Sequence, residues 1–64
     1  MTPAEFATYR KALGLSQSQA AEVLGYGSNT RISEIEAGRR SPSDAVVKLL
    51  RAYLDGYRPR DWPV

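Results

Sequence analysis

Histidine and cysteine are both missing from these 64 residues. Without thiols no disulfide can staple so small a chain, and no thiolate zinc site is possible. Without imidazole the commonest metal ligand, the commonest general base and the usual near-neutral pH switch are gone as well. Neither a metal nor a cofactor is expected. Apolar runs stop after a few residues, so nothing approaches the ~20 residues that cross a bilayer, and no signal peptide is visible. The expectation is a soluble cytoplasmic protein with no membrane partner. Phenylalanine, tryptophan and methionine occur once each. One domain of this size sits near the limit of what a single core can hold, which favours a second copy. Nine basic against seven acidic residues leave a net +2, too mild to identify a polyanion partner by itself.

What is present centres on Leu15–Gly38, LSQSQAAEVLGYGSNTRISEIEAG. Ser16 followed by Gln19 forms a capping box, each side chain answering a free amide at a helix start. Ala20, Ala21 and Leu24 recur at helical spacing, and Gly25 supplies a left-handed terminator. Past Tyr26-Gly27, Ser28 or Asn29 can cap a second helix whose only apolar positions are Ile32 and Ile35, closed by Gly38. The small Ala20-Ala21 pair lets two helices cross closely. This is the pattern of a helix-turn-helix.

LSQSQAAEVLG followed by SNTRISEIEAG resembles the DNA-binding domain of phage repressors and Cro, the XRE-like helix-turn-helix family, over about Arg10–Leu54. The resemblance implies an all-α, compact four-helix repressor-type domain (1–56, motif about 16–38), and Pro59 and Pro63 make 57–64 a short non-helical C-terminal tail. The resemblance also implies double-stranded DNA as partner, a homodimer, and a nucleoid-associated location. Gly25–Ile32 is one residue longer than in that family, so either the turn is enlarged or the second helix starts late. Further, the resemblance pairs Arg10, on the inward stripe of the opening helix, with Glu36; a snorkelling Arg10 is the plainer alternative.

The second helix of the motif carries the functional argument. With Ile32, Ile35 and Glu36 inward, Thr30, Arg31, Ser33 and Glu34 turn outward. Its start offers Ser28, Asn29, Thr30 and Arg31, short or forked hydrogen-bonding groups where a soluble surface helix would carry lysine and glutamate. Asparagine can grip adenine, arginine can grip guanine, and threonine can touch the thymine methyl. Glu34 either accepts from cytosine or lies back on Arg31 as an i,i+3 pair. Ser28, Asn29, Thr30, Arg31 and Glu34 are therefore the candidate base readers; otherwise the polar turn only caps the helix. Gln17, at the amide-rich start of the first motif helix, Tyr26 at the turn, and the Arg39-Arg40 pair are candidate phosphate contacts.

The flanks complete the reading. Thr2, Pro3 and Glu5 start an opening helix that runs to Leu13. Ser41-Pro42 with Asp44 reads as the start of a fourth, whose apolar face is Val46, Leu49, Leu50, Tyr53 and Leu54, ending at Gly56. Val23 falls off the buried stripe of its helix and is expected to be partly exposed. Val47 widens the fourth helix's apolar face beyond what three short helices can cover. Val47, Leu54, Tyr57 and Trp62 are candidates for a dimer or partner surface, Trp62 alternatively folding back on the helix-one/helix-four surface. A sequence-specific DNA-binding regulator, most simply an autorepressor on an inverted repeat, is the leading function. An antitoxin-like module whose tail holds a partner protein is the alternative. An enzyme is not expected, because Gly25-Tyr26-Gly27 is a turn signal and Glu34 and Glu36 lie on different sides of one helix.

Overall fold

Helix starts in this chain are written as hydroxyl caps, and three of them close as such in the computed structural model, which describes residues 1–63. Val64, the last residue of the expected tail, lies outside the described residues. The Thr2 hydroxyl accepts from the Glu5 amide at 3.1 Å and the Glu5 carboxylate from the Thr2 amide at 2.8 Å, opening α1 (Pro3–Ala12). Ser16 and Gln19 repeat the arrangement at 3.1 and 2.9 Å to open α2 (Gln17–Leu24). The fourth helix, α4 (Asp44–Leu54), is capped by Ser43, whose hydroxyl accepts from the Val46 amide. That corrects the expected start at Ser41-Pro42: Ser43 lies three residues before the amide it satisfies. The remaining helix, α3 (Asn29–Glu36), follows Ser28, whose side chain makes no capping bond.

Among the described residues these four helices are joined by turns, with no strand. Gly25 ends α2 at φ +81°, a left-handed conformation that costs a side chain of L configuration strain. Gly25–Ser28 then make a four-residue connection to Asn29, the first residue of α3. Gly38, also at φ +81°, brings the chain leaving α3 back against Pro3 of α1.

The core joins all four helices. Phe6, Leu15, Ala20, Ala21, Val23, Leu24, Ile32, Ile35, Leu50 and Tyr53 are buried, and Val46, Leu49, Tyr9, Leu13, Tyr26 and Trp62 pack around them. Helix α3 lies against both α1 and α2, and α4 lies against α2. That second neighbour explains Val23, which is buried rather than partly exposed. Helix α2 is covered from two sides, so its apolar arc is wider than one stripe. Leu54, placed by periodicity on the inner face of α4, is 38% exposed. It lies at the last turn, beyond the reach of the other helices.

Tyr53 fastens the C-terminal third. Its buried hydroxyl donates to the Val23 carbonyl in the last turn of α2, where carbonyls have no partner in their own helix. Burial, and then the charges of Tyr57 and Asp61, raise this phenol above its ordinary value, keeping it protonated as a donor. The tail folds back on the same ring. Trp62 meets it edge-on at 4.9 Å and Tyr57 stacks on it at 5.9 Å. Arg58 donates to the Tyr53 and Tyr57 carbonyls and lies 4.3 Å over the indole of Trp62.

Tyr53→Phe should keep the packing but leave the Val23 carbonyl unpaired, lowering stability by about 1–2 kcal/mol in urea unfolding with an unchanged m-value.

Candidate nucleic-acid interface

Helix α3 has only two apolar side chains to hold it, Ile32 and Ile35, and both are completely buried. Its polar anchor is Glu36. The Arg10 guanidinium grips that carboxylate through Nε at 2.5 Å and Nη2 at 3.1 Å, a two-pronged contact across 26 residues of chain. Arg10 also donates from Nη1 to the Leu15 carbonyl at 2.9 Å, tying in the α1–α2 connection. Gln17, from the first turn of α2, donates its amide to the Glu36 Oε1 at 3.2 Å. Thus α1, α2 and α3 meet on one carboxylate.

Burial raises the Glu36 carboxyl. Hydrogen bonds from Arg10 and Gln17, with the charges of Arg10 and Lys11, outweigh it and hold the group below its ordinary 4.5. A carboxyl held lower in the folded state than in the unfolded chain stabilises fully above that ordinary value. The contribution is lost as pH falls through the folded value.

With the inner side fixed in this way, the opposite side of α3 is bare. Ser28, Asn29, Thr30, Arg31 and Ser33 are exposed, and Glu34 is half-exposed. Among the described residues the tail does not cover them, because Tyr57 and Trp62 are folded on Tyr53 of α4. An eight-residue helix is about 12 Å long, comparable to the roughly 12 Å width of the major groove. Arg39 and Arg40 follow directly and are exposed.

Two contacts within this face are absent from any sequence pattern. Glu34 pairs with Arg40 at 3.4 Å rather than with Arg31, because the turn after α3, closed by Arg39 N–H on the Glu34 carbonyl, swings the next arginine back alongside. Asn29 does not cap its own helix; its Nδ2 donates to the Ser18 Oγ of α2 at 3.2 Å. Nothing in local spacing points to Ser18, because the two residues are eleven apart on different helices. Tyr26 is half-buried at the turn. Burial raises its phenol, partly offset by the nearby charges of Arg31 and Arg40. The expected phosphate ligand Gln17 is half-buried, with its amide engaged on Glu36. Val47 and Trp62 are half-buried, whereas Leu54 and Tyr57 are exposed at 38% and 55%. Thus the α3 start, Tyr26 and Arg40 share one face, and the dimer candidates lie on α4 and the tail.

Two short helices crossing on an Ala-Ala pair, the second with its outer side unclothed, define a helix-turn-helix DNA-binding module. A family model described as helix-turn-helix matches residues 6–62, and the chain belongs to that family, of the Cro/XRE type. It is accordingly a DNA-binding regulator of that type. Comparison with the curated proteins and with the solved structures gives no match. No helix among the described residues is long and apolar enough to cross a membrane.

Glu36→Gln should lower stability at neutral pH by about 1–3 kcal/mol, less than the 3–5 kcal/mol of a fully buried pair. It should also flatten the acid limb of the stability curve below about pH 4.5. Urea unfolding followed across that range would check both.

Proposed function

We propose that the protein is a small dimeric autorepressor that binds an inverted-repeat operator in the cytoplasm at the nucleoid. The observation supporting this reading is the bare polar start of α3, in which Asn29, Thr30 and Arg31 stand exposed on a helix whose inner side is fully anchored. In this reading that end of α3 enters the major groove. Asn29 reads adenine, Arg31 reads guanine, Thr30 meets a thymine methyl and Glu34 accepts from cytosine. Ser28 contributes its unused hydroxyl. Arg39, Arg40 and Tyr26 take phosphates on the groove wall, which sets register and makes affinity salt-dependent. Gln17 offers the same backbone its main-chain amide at the start of α2.

Two recognition helices spaced about 34 Å apart, one DNA turn, require a two-fold partner. Leu54 in the last turn of α4 and Tyr57 just beyond it, both exposed and apolar, are the proposed contact, with Val47 and Trp62 as further candidates. A partner protein docked on the same tail, in the manner of an antitoxin, is the competing use of this surface.

Selection of duplexes from a random pool tests the reading. A recovered palindrome with half-sites about 10 base pairs apart supports it, and a pool that stays random removes it. On the recovered operator, Arg31→Ala should relax discrimination at one base pair by about 1–3 kcal/mol. Arg40→Ala should weaken all sequences alike and reduce the salt slope by about one. Leu54→Glu combined with Tyr57→Glu should convert a dimer to a monomer in sedimentation without loss of helicity. An unchanged mass excludes these two residues from the dimer seam.

A further inference from the structure

The hydrogen bond between Asn29 and Ser18 joins the first residue of α3 to the first turn of α2. Neither partner needs it for folding, since both side chains are exposed and neither belongs to the core. Nor is it a cap, because Ser28 is the residue in the capping position and the Asn29 side chain turns away from its own helix start. Its effect is to fix a side chain. A free asparagine on a helix start samples several rotamers and both senses of its carboxamide; with Nδ2 held on the Ser18 oxygen, one sense is selected.

We infer that Ser18 is a positioning residue for base reading, its hydroxyl holding the Asn29 carboxamide ready to recognise adenine. The inference rests on the proposed role of Asn29. The carboxamide nitrogen has two N–H groups. One is used by Ser18, and the oxygen with the other N–H remain for the adenine N6 amino group and N7. Ser18 and Asn29 both border the open hollow created by the four-residue turn, together with Ala21, Glu22, Tyr26 and Gly27. The bond therefore spans the place where α2 and α3 diverge, and it fixes the reading side chain to the helix behind it. Fixing a polar side chain before contact removes an ordering cost from the specific complex. It gives nothing to a complex in which Asn29 meets no base, so it acts on specificity rather than on general affinity.

The test uses the full chain and the duplex recovered by selection, with each base pair varied in turn at constant salt. The variants are Asn29→Ala, Ser18→Ala, Ser18→Thr and the Ser18→Ala/Asn29→Ala double substitution, with circular dichroism melting as the check on folding. Asn29→Ala should erase the preference at one A·T pair by about tenfold. Ser18→Ala should weaken the same preference about three- to tenfold, leaving other positions, random DNA and the melting curve unchanged. Ser18→Thr, which keeps the hydroxyl, should restore it. In the Asn29→Ala background Ser18→Ala should add nothing. If Asn29→Ala erases the preference and Ser18→Ala does not touch it, the positioning role is overturned while the reading of Asn29 stands. A Ser18→Ala effect that persists without Asn29, or that falls equally on random DNA, means that the hydroxyl meets DNA itself and also overturns it. If Asn29→Ala leaves every preference intact, Asn29 reads no base and both ideas fall.

Discussion

The Glu36 carboxylate is where three helices are reconciled. Helix α3 has so little apolar surface that two isoleucines alone would fix its depth but not its rotation or its slide along α1 and α2. The forked contact from Arg10 sets direction as well as distance, since a guanidinium meets a carboxylate well only in a narrow range of planes. Gln17 adds the third point. An ion pair of this kind, largely removed from water, gives modest net stability because desolvation offsets much of the attraction. Its value lies in orientation: once the inner side is fixed at Glu36, the outer side can be given over to polar groups that contribute nothing to the core.

That division of labour also explains why the motif is asymmetric. Helix α2 is clothed on two sides, by α3 and α4, and buries half of its eight residues. Helix α3 buries two of eight and leaves its start open, without a side-chain cap. A capped start would place a hydroxyl on the helix's own amides. The uncapped one leaves Ser28 and Asn29 turned outward or toward α2, as suits a helix end that is to meet another molecule.

Much of this was legible before any coordinates, for reasons that differ from element to element. Thr2-Glu5 and Ser16-Gln19 are local signals, complete within four residues, and each closes as its spacing implies. The all-α class follows from periodicity and from the glycine positions, and the family from the resemblance carried by LSQSQAAEVLG and SNTRISEIEAG. Where the reading slipped, the deciding partner was distant or the local signal was ambiguous. Ser41-Pro42 and Ser43-Asp44 both look like helix starts, and the backbone uses the second. Val23 lies off the periodic stripe of α2, and α4 supplies the second wall that buries it. Glu34 sat within reach of Arg31 by helical spacing, yet the turn delivers Arg40 instead. The Asn29–Ser18 bond has no sequence signature at all, since it depends on the crossing of two helices.

The placing of Trp62 has an optical consequence. As the chain's sole indole, held edge-on to Tyr53 beneath the Arg58 guanidinium, it is the dominant fluorophore, and it belongs to the tail rather than to the motif. Its emission colour and quenching therefore monitor the docking of the last residues separately from events at α3. The molecule thus carries its own gauge of whether a titrant acts at the C-terminal end.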